Sequence, residues 1–450
     1  MRIARRPLLS LLAAPLAAPL AAPLAARAQP AAALPPILFV HGNGDHAALW
    51  LTTLWRFAAN GWPEDRLWAV NMPDPLARAN DAVAQPHRSS SAEQTERLRG
   101  FVGELLARTG AAKLALVGNS RGGYPIRDLL AQGGAAQVSH AITCGTPNRG
   151  VFDWEWNEGS EFNARSPFLR RLNAGEADVV EGVATLAIRS DNDLFAQPDG
   201  RFVGRPGTPT GITQDGPMLR GARNILLPGL DHRETAYHWR AFREQFLHIA
   251  GREPWRLDVP AERDVTLDGI VTGLEAGAPT NRPVAGAVVE VFRVDPETAE
   301  RAGPALHRRE TGADGRWGPV AVSAQDRLEI VLAAPGHPVA HHFRSPFPRS
   351  TAVLHLRPPA ALSEADRAAG CVVRFTRPRG YFGWPRDVVL MGGEAVGEAR
   401  DGVASLALAT RRLPAAAAGR AVRCVFNQEE VTARAVPLAE NRIAIAELTW

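Results

Sequence analysis

The 450-residue sequence predicts an α/β fold built on a doubly wound, mostly parallel sheet, followed by an all-β C-terminal region. From Pro36 to about Gly251, short apolar runs alternate with amphipathic stretches, the pattern of strands buried under helices on both faces. Beyond Glu253 the helical period disappears, and alternating runs are separated by Gly, Pro and Asp turns. A chain of this length also exceeds what one hydrophobic core usually organises, so two or three domains are expected.

The first 28 residues read as an export signal: Arg2, Arg5 and Arg6 precede an apolar stretch from Leu8 to Ala25, and Ala26-Arg27-Ala28 has the form of a cleavage site. Prolines 15, 19 and 23, in a tetrad Ala-Ala-Pro-Leu that occurs three times, would break a spanning helix. Arg5-Arg6 suits a twin-arginine signal, and a general secretory signal fits nearly as well, so the expected location is periplasmic or extracellular.

A catalytic domain is then expected over 34–252. Ile37 to Val40 is its first buried strand, ending at His41-Gly42-Asn43-Gly44. Ser91 begins a helix with a capping box to Gln94, an apolar face of Leu98, Val102, Leu105 and Leu106, and a stop at Gly110. Lys113 to Val117, Val138 to Thr143, Val183 to Ile188 and Asn224 to Leu227 follow as strands, and a helix from Glu234 to about Ile249 closes the domain. The stretch 148–182, with Trp154, Trp156 and Phe168, does not fit the alternation and reads as a small lid or cap insertion. In the β region, Val265 to Leu274, Ala287 to Val294, Leu328 to Leu332 and Ala352 to Leu356 suggest a sandwich or barrel over 258–358. Residues 366–450 form either a second module or its continuation.

Between the strand ending at Val117 and the next helix lies Gly118-Asn119-Ser120-Arg121-Gly122, a G-x-S-x-G pentapeptide. Small residues around a serine on such a turn let the backbone fold back and expose the hydroxyl; the plain alternative is a strand-to-helix turn with a capping serine. A serine hydroxyl needs a base, and His232, just past the last strand, is the candidate. His238 and His248 fall inside the last helix, His140 in a strand, and His46 and His87 before the serine. For the acid, Ser190-Asp191-Asn192-Asp193 offers two carboxylates, and resemblance to hydrolases of this fold, which often put the acid just ahead of an apolar pair, favours Asp193 before Leu194-Phe195. The oxyanion of acyl transfer needs two fixed N–H donors, assigned to the backbone of Arg121 and of Asn43.

Together, His41 to Gly44, the elbow at Ser120 and Ser166-Pro167-Phe168-Leu169-Arg170-Arg171-Leu172-Asn173-Ala174-Gly175, similar to a lid region, resemble the secreted bacterial and archaeal lipases and esterases of the α/β-hydrolase superfamily. The resemblance departs at Arg121, where many such enzymes carry Met, Gln or Leu. Arg282 to Ala287 with Gly312-Ala313-Asp314-Gly315 is similar to accessory β-sandwich domains. The resemblance implies an exported serine ester hydrolase that needs no cofactor or metal, with Trp154, Trp156 and Phe168 lining an acyl pocket or lid. Two rival readings are a polyester depolymerase acting on polyhydroxyalkanoate, and a non-catalytic binding protein on a hydrolase scaffold. With Ser120, Asp193 and His232 all ahead of Glu253, a chain ending near Arg252 is expected to keep activity on short soluble esters. The β region is then assigned to lipid or polymer surfaces.

Composition narrows the classes further. The formal charge is +4, but four of the arginines (2, 5, 6 and 27) lie in the signal, so the remainder is nearly neutral and no nucleic-acid partner is expected. Three cysteines are too few for a disulfide scaffold or a metal knuckle; Cys371 and Cys424 could pair or remain buried thiols, and Cys144 reads as a core residue.

Overall fold

A computed structural model describes residues 34–200, 202–205, 207–396 and 402–450. The segment read as an export signal, 1–28, lies outside the described residues.

Six strands form the N-terminal sheet: β1 (Ile37–Val40), β2 (Leu67–Val70), β3 (Leu114–Asn119), β4 (Val138–Cys144), β5 (Ala184–Arg189) and β6 (Arg223–Leu226). Their order is β2-β1-β3-β4-β5-β6, and every neighbouring pair is parallel. Five of these were expected; β2, four residues after a short turn, carries too little pattern to be read. The helices are α1 (Leu51–Ala59), α2 (Ser91–Thr109), α3 (Gly123–Ala131), α4 (Pro167–Leu172), α5 (Glu234–Tyr237) and α6 (Trp239–Ala250). One face of the sheet packs through Ile37, Phe39, Val117, Ile142 and Ile188 onto Phe57, Phe242 and Phe246 of α1 and α6. The other face packs through Leu38, Val40, Leu116 and Ala141 onto Leu98, Val102 and Leu105 of α2 and Ile126 and Leu129 of α3. Because the chain leaves β1 toward one edge and returns to β3 on the other side, the carboxyl ends of β1 and β3 open a crevice, the usual ligand position in such sheets.

Two helix boundaries differ from expectation. The cap of α2 is Ser90 with Glu93, one residue earlier than the Ser91 and Gln94 read from sequence. The helix expected over Glu234–Ile249 breaks at His238, which is extended (φ −58°, ψ 148°) and accepts the Arg240 N–H to start α6. The insertion 148–182 holds only α4, capped by Ser166, among turns.

In the β region, seven strands make one sheet in the order His307–Glu310, Val288–Arg293, Leu328–Ala333, Val339–Arg344, Arg442–Glu447, Cys371–Thr376 and Leu408–Leu413. The last strand of the chain slots between Val339–Arg344 and Cys371–Thr376, parallel to both, so 258–358 and 366–450 share one sheet. A four-stranded sheet that includes Val389–Met391, Ala421–Phe426 and Glu429–Arg434 covers it across a core of Phe375, Phe382, Met391, Phe426 and Val431. The run Val265 to Leu274 splits into Val265–Leu267 and Thr272–Glu275, and Ala352 to Leu356 makes only an isolated bridge, at Leu356, instead of a strand. Cys144, Cys371 and Cys424 are free and buried, and burial pushes the thiols of Cys144 and Cys424 up to about 12. The two halves share a core: Leu51 and Trp55 of α1 pack among β-region residues, and the Trp55 indole donates to the Ser350 carbonyl at 2.8 Å.

Candidate active site

Ser120 follows β3 with φ +53°, a left-handed conformation that a non-glycine residue adopts at a cost of roughly 1 to 3 kcal/mol. Its neighbours impose it by close approach. A methyl group on Gly118 would lie 2.5 Å from the Gly122 carbonyl oxygen, and one on Gly122 would lie 2.5 Å from the Val40 oxygen and 2.6 Å from that of His41. The glycines of the pentapeptide thus let the turn press onto the end of β1. On the facing loop, a methyl on Gly42 would meet Ser120 Cβ at 2.9 Å, which places the His41–Asp45 segment directly against the serine.

His232 sits in the loop between β6 and α5, almost fully buried. Its Nδ1 lies 2.8 and 2.9 Å from the two oxygens of Asp193, so Nδ1–H donates to the carboxylate and Nε2 is left as the acceptor. Asp193 also accepts the Phe195 N–H at 2.9 Å, and the Phe195 ring meets the imidazole edge-on at 4.5 Å. Asp191 takes another part: its Oδ1 accepts the Gly229 N–H at 2.6 Å and shapes the turn before the histidine. The carbonyl of His232 accepts from Thr235 Oγ1 at 2.7 Å and from Asn119 Nδ2 at 3.4 Å, which ties the His232 loop to the residue preceding the serine.

The other expected residues divide. Asn43 uses its side-chain oxygen to accept the Ala77 N–H at 2.8 Å, leaving its backbone in the loop facing Ser120. Arg121 is buried: its Nε and Nη2 donate to the two Glu161 oxygens at 2.5 and 2.8 Å, and its Nη groups reach Pro75 O, Ser89 O and Ser89 Oγ. It anchors the turn to the insertion, and burial outweighs the guanidinium and raises the Glu161 carboxyl above its usual range. Of the three aromatic residues, Phe168 is buried against Tyr124, 5.4 Å between ring centroids, and Trp154 is stacked between Phe152 and Trp156. Only Trp156, 51% exposed, faces solvent. No group of His, Cys, Asp and Glu among the described residues is arranged to hold a metal ion.

Residues 35–214 match the class 2 lipase family, and residues 263–361 match the lipase C-terminal domain. The N-terminal domain is similar to the class 2 lipases. These are carboxylic ester hydrolases of the α/β-hydrolase fold, and the mostly parallel sheet and the β region of this chain agree with both matches. The matched lipase segment includes Ser120 and Asp193 and ends before His232. No curated protein matches the chain. Among solved structures, mature lipase BlEst2 of Bacillus licheniformis is similar at 19% identity and a TM-score of 0.34, covering 49% of this chain and 92% of its own. Phospholipase PlaB of Legionella pneumophila is similar at 12% identity and a TM-score of 0.32, covering 73% and 96%. Aspergillus fumigatus lipase B is similar at 13% identity and a TM-score of 0.36, and the match spans 50% of this chain and about half, 54%, of that one.

Sequence reasoning missed a histidine held neutral beside the serine and the β-region residues that touch it. His41 Nε2 accepts the Met72 N–H at 3.0 Å, so its proton is on Nδ1, facing the Gly42 carbonyl at 2.9 Å. Burial lowers its pKa from 6.5 to about 4, and burial lowers that of His355 to about 3. The sign follows directly. Between pH 6.5 and about 4 the unfolded chain binds protons that the native His41 refuses, so stability rises with pH across that window and is lost as pH falls through it. Each such histidine contributes about 1.4 kcal/mol per pH unit within its window. Urea titrations should therefore show a midpoint that drops steadily from pH 6.5 towards 4; a flat midpoint would contradict the buried neutral assignment.

Proposed function

We propose that the chain is an exported serine ester hydrolase acting on lipidic carboxylic esters, with Ser120 as nucleophile, His232 as base and Asp193 as its orienting acid. The observation that supports this best is the buried His232–Asp193 pair at 2.8 Å, which fixes the imidazole tautomer with Nε2 able to accept a proton, in a loop tied to the strained Ser120 turn. In this scheme Ser120 Oγ attacks the ester carbonyl carbon as its proton passes to His232 Nε2. The carbonyl oxygen becomes an oxyanion, which accepts from the backbone N–H groups of Asn43 and Arg121. The bond to the alcohol oxygen breaks as His232 returns the proton to it. Water then gives a proton to His232 and attacks the acyl-enzyme, releasing the acid and restoring Ser120.

Lipidic substrates are the reading favoured by the two family matches, since both are to lipase domains. The test is hydrolysis of a nitrophenyl ester series from acetate to palmitate beside emulsified triacylglycerol and suspended polyhydroxyalkanoate. Turnover of soluble esters and triacylglycerol is expected. Activity confined to the polymer would replace the lipase reading by the depolymerase one, and no ester hydrolysis at all would overturn both. Export belongs to the same proposal, resting on Arg2, Arg5, Arg6 and the apolar run to Ala26-Arg27-Ala28. A mature N-terminus near Gln29 in the exported fraction is the expected result.

A further inference from the structure

Resting on the ester-hydrolase reading, we propose that Asn281, a residue of the β region, is a positioning residue of the oxyanion hole. Asn281 lies on the strand Ala278–Pro283, is buried, and inserts its carboxamide behind the loop that faces Ser120. Its Nδ2 donates to the carbonyls of Asp45 at 2.8 Å and Met72 at 2.9 Å, and stands 3.3 Å from His41 Nε2. Its backbone N–H donates to Pro73 O at 2.8 Å. Its Oδ1 accepts from Arg357 Nη2 at 2.9 Å, and Arg357 Nη1 reaches Gly44 O at 3.3 Å.

These contacts bracket the segment that supplies the donor. His41 and Asp45 are contacted at its two ends and Gly44 at its last turn, with Gly42 and Asn43 between them. Within the N-terminal domain the loop has the Gly44 N–H to Pro75 O at 3.1 Å, the Asp45 N–H to Gly42 O at 3.3 Å and the Asn43 side chain on Ala77. None of these restrains the Asp45 carbonyl, which Asn281 does. A backbone donor stabilises an oxyanion only while it points at the place where charge develops, and losing one such donor costs a factor of about 10² to 10³ in kcat. Misaligning it costs part of that.

Asn281 does more than join the domains. The adjacent Arg282 joins them from outside, through an exposed ion pair with Asp74 at 2.6 Å, and reaches no part of the loop. The pair therefore separates positioning from adhesion.

The experiment compares full-length wild type, Asn281→Ala and Arg282→Ala on nitrophenyl butyrate, with inhibition by an aryl trifluoromethyl ketone, whose adduct with a serine carries an oxyanion. Asn281→Ala is expected to lower kcat about 10- to 100-fold with KM changed less than about threefold, and to weaken the ketone by a similar factor. Arg282→Ala is expected to match wild type in both. If Asn281→Ala does not fold, Asn281→Ser, which keeps one donor, reads the same quantities with a smaller loss. A folded Asn281 variant with wild-type kcat, or with lower kcat but unchanged ketone affinity, overturns the inference. Fluorophosphonate labelling of wild type separates the two levels: an unlabelled active wild type removes the serine-hydrolase reading and this inference with it, whereas a labelled wild type beside an unaffected Asn281 variant removes this inference alone.

Discussion

Replacing Ser120 by alanine is expected to lower kcat by a factor on the order of 10⁴ to 10⁶ while the fold is kept, because the covalent route disappears and only binding and oxyanion stabilisation remain. The substitution removes one half-buried hydroxyl oxygen and keeps Cβ, which already fits against Gly42. Alanine at φ +53° is no more strained than serine, so circular dichroism and the urea midpoint should be unchanged. His232→Ala should fall into the same range, and the double variant should be little worse than either single one, since residues acting as a unit do not add. A folded Ser120→Ala enzyme with near wild-type turnover would end the assignment.

The next largest effect falls on the acid. Asp193→Asn is expected to lower kcat about 10² to 10⁴-fold, because an amide at that place can offer its N–H to Nδ1, reverse the tautomer and turn Nε2 from acceptor to donor. It also removes the negative charge 2.8 Å from the ring that stabilises the imidazolium of the transition state. Asp191→Asn should cost far less. Its Oδ1 accepts the Gly229 N–H at 2.6 Å and the Ser190 hydroxyl at 3.5 Å, and an asparagine oxygen can still accept both. Measured kcat for the two variants on the same ester decides between them; a larger loss at Asp191 would reverse the assignment.

How much of this was legible in the sequence depends on how local each determinant is. The strands Ile37–Val40 and Leu114–Asn119 lie in the middle of a sheet buried on both faces, so residues 37–40 and 114–117 read as unbroken apolar runs. The order Ser, Asp, His and the pentapeptide are likewise local signals, and the structure brings His232 onto Asp193. The cap of α2 slipped by one because Ser89-Ser90-Ser91 followed by Glu93 and Gln94 satisfies the capping-box spacing in two registers. The break at His238 was missed because a histidine acting as a cap leaves the apolar period nearly intact.

The β region was the least legible, for a physical reason: its pairings are far apart in sequence. Arg442–Glu447 joins two segments by pairing with Val339–Arg344 and Cys371–Thr376. The same distance hid its part in the site. Arg377 donates to Asp231 and Glu234 at 2.5 Å each, across 146 and 143 residues, and the Tyr381 N–H donates to Asp231 at 2.9 Å. Asp231 caps α5 through the Arg233 and Glu234 N–H groups on one oxygen and accepts these β-region donors on the other. Asn192, next to Asp193, donates to Gly402 O and accepts from the Ala404 N–H. The loops that carry His232 and Asp193 and the segment that faces Ser120 are thus all held from the β region. A chain ending near Arg252 would lose all of these contacts, so its activity on short soluble esters measures how far the N-terminal domain holds these loops by itself.

The central claim is that one serine, at position 120, forms the covalent intermediate. The most direct measurement is mass-spectrometric mapping of a fluorophosphonate adduct on the active wild-type chain, with loss of ester hydrolysis followed in the same sample. The account predicts one adduct per chain, located on Ser120, with activity lost in proportion to labelling and no labelling of Ser120→Ala. An adduct on another residue, or full activity after Ser120 is modified, would contradict it.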